Sequence, residues 1–99
     1  MIRHVAVFRW VEGATDEQVA AVADALRALP GEIESIRGYT VGSDLRLGEG
    51  RWDFAVVAEF DDADGYQTYV DHPAHQAVAT DLIAPIRADR AHVQLSLTD

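Results

Sequence analysis

The chain contains no cysteine and no lysine. Without cysteine it has no disulfide framework, no thiolate metal site and no cysteine nucleophile. Without lysine it can form no Schiff base and has no lysine general base, since all eight basic residues are arginine. No apolar run approaches the roughly 20 residues of a membrane span. The N-terminus lacks a basic region followed by an apolar one, so no secretory signal is expected. These absences point to a cytoplasmic location and to no membrane partner. No serine stands in a Gly-x-Ser-x-Gly setting, which excludes a hydrolase elbow. No glycine-rich loop joins a strand to a helix, so no nucleotide cofactor is expected. Basic charge is scarce as well: 17 acids give a net charge of −9, which repels a phosphate backbone and argues against nucleic acid.

What is present suits one globular domain over residues 1–99, with 48% hydrophobic and 25% charged residues. Residues Ile2 to Val11 alternate, with His4, Ala6, Phe8 and Trp10 on one face and Arg3, Val5, Val7, Arg9 and Val11 on the other, which predicts a strand. Thr15-Asp-Glu-Gln18 is a capping box for a helix reaching about Leu29, with Val19, Val22, Ala23, Leu26 and Leu29 as its apolar stripe. Pro30-Gly31 stops it. A weakly patterned strand over Ser35 to Val41, a glycine-rich loop over 42–50 and a strongly alternating strand over Trp52 to Phe60 follow. Asp61 and Asp62 cap a helix carrying Tyr66, Tyr69 and Val70. Pro73 ends that helix and begins another, whose stripe is Val78, Ala79, Leu82, Ile83 and Ile86. Ala84-Pro85 breaks it, and Ala91 to Leu97 is a last strand, with His92 expected to face solvent.

The order β-α-β-β-α-β is the plan of an α+β, ferredoxin-like protomer with an antiparallel four-stranded sheet. Helices cover one face of such a sheet and leave the other bare. The face with Phe8, Trp10, Phe54 and Phe60 is too apolar for water, so a second copy of the chain is its expected cover and a homodimer the expected assembly.

The segment Tyr69-Val-Asp-His-Pro-Ala-His75 gathers the chemistry. Counted back at helical spacing, the stripe of the Pro73 helix includes His75, where a buried polar ring needs a reason. A histidine transfers protons near neutral pH, and a tyrosine hydroxyl beside it can orient it or stabilise an enolate. The structural alternative has Tyr69 packed in the core and His75 bonded to a backbone carbonyl. His72 and His75 are also spaced as a metal pair, with Asp71 adjacent. A third ligand would have to come from His4 or from an acid of a second chain. Neither a metal nor a cofactor is expected, and Pro73 leaves His72 the job of capping a helix start.

His4-Val-Ala-Val-Phe-Arg-Trp10, Gly42-Ser-Asp44, Trp52-Asp53 through Glu59-Phe60, and Tyr69-x-x-His72-Pro-x-His75 occur in this order and spacing. Together they closely resemble the stress-responsive dimeric α/β-barrel (Dabb) family over essentially the whole chain. The resemblance implies two ferredoxin-like protomers whose sheets form a barrel across a dimer interface. The best understood relative is the plant polyketide cyclase that makes olivetolic acid by a cofactor-free aldol cyclisation. Its catalytic histidine and tyrosine match His75 and Tyr69, and His4, Ala6, Phe8 and Val56 match positions lining its pocket. Phe54 is expected beside them. Where that enzyme has aromatic residues on its first helix, this chain has Val22, Ala23 and Leu26, which implies a pocket of different shape lined in part by Val22 and Leu26. The reading is a barrel binding an apolar, carbonyl-bearing small molecule, with acid/base chemistry of the cyclase type. The alternatives are a non-catalytic ligand-binding or stress-associated module and a cofactor-free monooxygenase.

Overall fold

The computed structural model describes residues 1–97. Four strands, β1 (Ile2–Trp10), β2 (Gly38–Ser43), β3 (Phe54–Phe60) and β4 (Arg87–Ser96), form one sheet in the order β2-β3-β1-β4. Every neighbouring pair is antiparallel. Helices α1 (Asp16–Arg27), α2 (Ala63–Asp71) and α3 (Pro73–Val78) lie in the connections, and α3 runs on into a wider π-helical turn over Ala79–Ile83. This is the ferredoxin-like βαββαβ arrangement, with its second helix broken in two.

Local chemistry accounts for the helix boundaries. The Gln18 amide donates to the Thr15 hydroxyl at 3.1 Å, and the Thr15 amide donates back to the Gln18 side chain at 2.9 Å, a complete capping box. The Gly65 amide donates to the Asp62 carboxylate at 2.9 Å, which closes the start of α2. Strand β2 begins later than the alternation suggested. Residues 29–36 fold back on themselves first, with Ile33 donating to the Leu29 carbonyl and Ile36 to the Ile33 carbonyl. Strand β4 begins four residues earlier than expected, because its charged first half hides the alternation.

One expectation is corrected. The sheet face bearing Phe8, Phe54 and Phe60 is the face the helices cover. Those rings are buried against Val22, Leu26, Leu29, Tyr69, Ile83 and Ile86 within the single chain. The bare face is the other one, carrying Val5, Val7, Ala55, Val57, Ala91, Val93 and Leu95. Val93 is 51% exposed and Leu95 48%. Both faces of β1 and β3 are apolar, so alternation separates the faces without saying which one meets the helices. The larger aromatic side chains took the thicker, helix-covered side, where they bury the most area.

Candidate functional site

The break at Pro73 builds the site. His72 is extended (φ −64°, ψ 132°), as a residue before proline prefers. Its Nδ1 accepts a hydrogen bond from the Ala74 amide at 3.0 Å and caps α3. On an unbroken helix, positions six residues apart point roughly 120° apart. The turn at His72 instead swings α3 back, and the rings of Tyr69 and His75 come to a centroid separation of 4.3 Å.

Both rings line a cavity of about 290 Å³ between the sheet and the α2–α3 corner. His4, Ala6 and Phe8 of β1 and Val56 of β3 form its floor, and Tyr66 and Val70 stand beside Tyr69 on α2. Arg90 and His92 of β4 complete its edge. The β1–β4 register sets Gln94 opposite His4, His92 opposite Ala6 and Arg90 opposite Phe8, so three polar side chains of the edge strand share the cavity face of the sheet. Val22, Leu26 and Phe54, expected at the pocket, are not among its lining residues. They are core residues packed between α1 and the sheet, since the first helix lies over the other half of the sheet.

Two hydrogen-bonded chains hold the polar groups. The Tyr39 and Tyr69 hydroxyls lie 2.8 Å apart. The Gln94 amide nitrogen lies 2.8 Å from His4 Nδ1 and 3.0 Å from His92 Nδ1. An amide NH₂ only donates, so both ring nitrogens accept, and the His4 ring, kept neutral by burial, carries its proton on Nε2. His4 also packs against Tyr66, with centroids 5.0 Å apart and the rings tilted by 50°. The Nδ1 atom of His75 is buried and has no hydrogen-bond partner among the described residues.

Burial governs the protonation states. It pushes His4 down to about 4, with the neighbouring His92 and His75 acting in the same direction. It also lowers His75. The Val70 backbone opposes that shift, while Arg90 and His72 reinforce it. Burial pushes Tyr69 up to about 12; the hydrogen bond with Tyr39 offsets part of this and the neighbouring Tyr66 adds to it. Tyr39 is raised further still, by burial first and then by Tyr69. Near pH 7 the cavity therefore holds neutral His4, its Nδ1 occupied by Gln94, neutral His75, able to accept a proton, and the intact Tyr69 phenol, whose hydroxyl meets that of Tyr39 behind it.

Tyr39, Arg90 and Gln94 went unnoticed as site residues in the sequence. Tyr39 stands two residues before buried Val41 on β2 and so shares its face, a signal of an inward side that was available. Arg90 carries no such signal, because its whole strand is exposed. His92 was expected to face solvent; its side chain is exposed, but it lies on the cavity face of the sheet, opposite Ala6, with its ring 6.0 Å from His4, and the apolar Val93 and Leu95 are on the bare face instead. Among the described residues, no group of three or more histidine, aspartate or glutamate side chains could hold a metal ion. No helix there is long and apolar enough to cross a membrane. A larger cleft of about 520 Å³ lies at the far end of the sheet, between Trp10, α1 and the loop after β2. It contains none of the expected site residues, and its Arg51 is paired with Asp44 at 3.4 Å and Asp53 at 4.0 Å.

The fold is shared with solved structures. A dimeric ferredoxin-like protein of unknown function from Thermobifida fusca is 48% identical, with a TM-score of 0.89 over 97% of this chain and 90% of that one. A hydroxynitrile lyase from Passiflora edulis superposes with a TM-score of 0.85 over 99% of this chain and 94% of that one; at 13% identity the likeness carries the fold alone. An uncharacterised protein of Streptomyces coelicolor is 38% identical over 79 residues, which cover 78% of this chain and 81% of the relative. The model of the stress-responsive A/B barrel domain matches residues 2–96. The chain therefore belongs to the stress-responsive A/B barrel domain family.

Proposed function

We propose that this protein binds an apolar, carbonyl-bearing small molecule in the His4–Tyr69–His75 cavity and catalyses cofactor-free proton transfer of the polyketide-cyclase type. The observation that carries the proposal is the 4.3 Å approach of the Tyr69 and His75 rings across the Pro73 break, inside a cavity. His75 is the base and Tyr69 the oxyanion donor. The neutral His75 ring takes the proton from the carbon beside the ligand carbonyl. The C–H electron pair becomes the C=C bond of an enolate, and the carbonyl oxygen takes the negative charge. Tyr69 donates a hydrogen bond to that oxygen, and Tyr39 frees its proton to do so when it donates to Tyr69. The enolate carbon then recovers a proton or attacks a second carbonyl of the same molecule, which is an aldol closure. Val56, Ala6 and Phe8 supply the apolar contact that positions the ligand.

The test is isotope exchange. The protein is incubated with 4-oxo-4-phenylbutanoate in D₂O, and loss of the α-proton signal is followed by proton NMR. Exchange above the buffer rate is expected, falling about 10²–10⁴-fold in His75→Ala, the usual contribution of a general base. Exchange that matches buffer, or is unchanged in His75→Ala, sinks the catalytic reading. Binding without exchange would then mark the protein as a ligand-binding module.

We infer also that two copies pack through the bare sheet face. Its exposed Val93 and Leu95, continuous with Val5, Val7 and Val57, form an apolar surface on a protein of 99 residues. The Thermobifida fusca relative, at 48% identity, is dimeric. Light scattering that returned a monomer at micromolar concentration would reject this assembly.

A further inference from the structure

The cavity contains a charge that the proton-transfer reading does not use. Arg90 lines it from β4, opposite Phe8 in the β1–β4 register. Among the described residues Arg90 makes no salt bridge; Arg46 and Arg87 make none either, but neither of them lines the cavity, whereas Arg3, Arg9, Arg27, Arg37 and Arg51 each lie within reach of a carboxylate. The acid beside it, Asp89, is engaged elsewhere: its side chain lies 3.7 Å from Arg9 on the opposite sheet face and accepts from the Arg90 backbone amide at 2.8 Å. Although the chain has 17 acids, no carboxylate lines this cavity among the described residues. The histidines around it cannot supply compensation, because an imidazole ring does not provide a negative charge. The cavity thus has one cation, no anion, and a ligand-sized volume of about 290 Å³.

We propose that Arg90 is a carboxylate anchor and that the ligand is a keto acid, its carboxylate held by Arg90 while its carbonyl lies between Tyr69 and His75. This rests on the proton-transfer reading for the carbonyl end only. The guanidinium is a planar fork that matches a carboxylate with two parallel N–H···O bonds. A phosphate would bring nearly two charges against this single arginine, on a protein of net charge −9. The carboxylate therefore fits better, and its charge also answers the Arg90 field that disfavours protonation of His75.

The experiment compares 4-oxo-4-phenylbutanoate with its neutral, nearly isosteric amide, 4-oxo-4-phenylbutanamide, by calorimetric titration of the full chain and of Arg90→Gln and Arg90→Lys. A charge-assisted contact predicts that the wild-type protein prefers the acid by about 10- to 100-fold. The preference should collapse toward one in Arg90→Gln and recover in part in Arg90→Lys. The acid/amide ratio within the wild type needs no variant, so the test does not hang on how Arg90→Gln folds. Equal binding of acid and amide, or an unchanged ratio in Arg90→Gln, overturns the proposal. Tighter binding of phenyl phosphate than of the keto acid overturns the carboxylate assignment. Isotope exchange separates the two readings. An Arg90-dependent preference without His75-dependent exchange leaves the anchor standing and removes the catalysis. His75-dependent exchange of both probes at equal rates does the reverse, and no binding of either probe removes both.

Discussion

Replacing Tyr69 with phenylalanine removes one hydroxyl of the 2.8 Å Tyr39–Tyr69 pair and strands the other. Tyr69 is 2% exposed and sits among Phe60, His75 and Tyr39, so the phenylalanine ring keeps its packing and the loss is confined to the oxygen. An unpaired buried hydroxyl costs about 1–3 kcal/mol. Tyr39 is only half-buried, so water can reach part of it, and the loss in Tyr69→Phe is expected near the low end, about 1 kcal/mol. Tyr39→Phe strands the more deeply buried Tyr69 hydroxyl and is expected to cost about 1–2 kcal/mol. The double variant leaves neither hydroxyl stranded. Its loss should fall below the sum of the singles by about 1 kcal/mol, the coupling that contacting residues show. Urea unfolding followed by circular dichroism measures all four corners of this cycle, at one protomer concentration because the midpoint of a dimer depends on it. In a domain of this size about 1 kcal/mol moves the melting temperature by roughly 4–8 °C, well within resolution. A coupling below about 0.3 kcal/mol would mean that the two hydroxyls act independently and that the pair does not hold the Tyr69 ring. The cycle also guards the functional test: Tyr39→Phe retains the Tyr69 hydroxyl, so it should reduce isotope exchange less than Tyr69→Phe does, at similar stability.

Other consequences can be measured directly. His4 has a folded pKa of about 4 against an ordinary 6.5, so its contribution is complete above pH 6.5 and is lost as the pH falls toward 4. One such group removes about 3 kcal/mol over that window, and His4→Gln should flatten this limb of a urea-midpoint against pH plot. His75 is also lowered, so isotope exchange should persist below pH 6.5 before its acid limb begins; a limb centred above 6.5 would contradict its buried placement. Phe60→Ala empties a fully buried site under α2 and should lose about 3–5 kcal/mol in denaturant unfolding; a loss under 1 would put the ring elsewhere. Val93→Glu places a charge on the bare sheet face and should shift light-scattering mass toward the monomer while the far-ultraviolet spectrum is kept.

Much of the fold was legible in the chain order. The Thr15–Gln18 box, the Asp62 cap, the Pro73 break and the alternation of β1 and β3 are local signals, set by residues within about four positions of each other, and each appears where those residues stand. The site was legible in part for the same reason. Tyr69, His72 and His75 are neighbours in sequence, and proline's geometry says that the helix must turn between them. His4, Ala6, Phe8 and Val56 lie along two strands whose faces the alternation defines.

Other features depend on pairings between residues far apart, which spacing does not encode. The Tyr39–Tyr69 hydroxyl contact spans 30 positions, and the His4–Gln94 contact spans 90. The first exists because α2 packs on the sheet and brings Tyr69 to Tyr39 of β2, the second because the β1–β4 register sets Gln94 opposite His4. The covered sheet face was decided the same way: two apolar faces compete for one layer of helices, and the packing of Phe8, Phe54 and Phe60 against α1 and α2 settles it. The sequence by itself determined the elements, their order and the break that frees His75. The tertiary structure decided which residues share the cavity: it left Val22, Leu26 and Phe54 in the core and brought Arg90 and His92 to the cavity edge. Register and layer packing are properties of the assembled sheet, and no segment contains them alone.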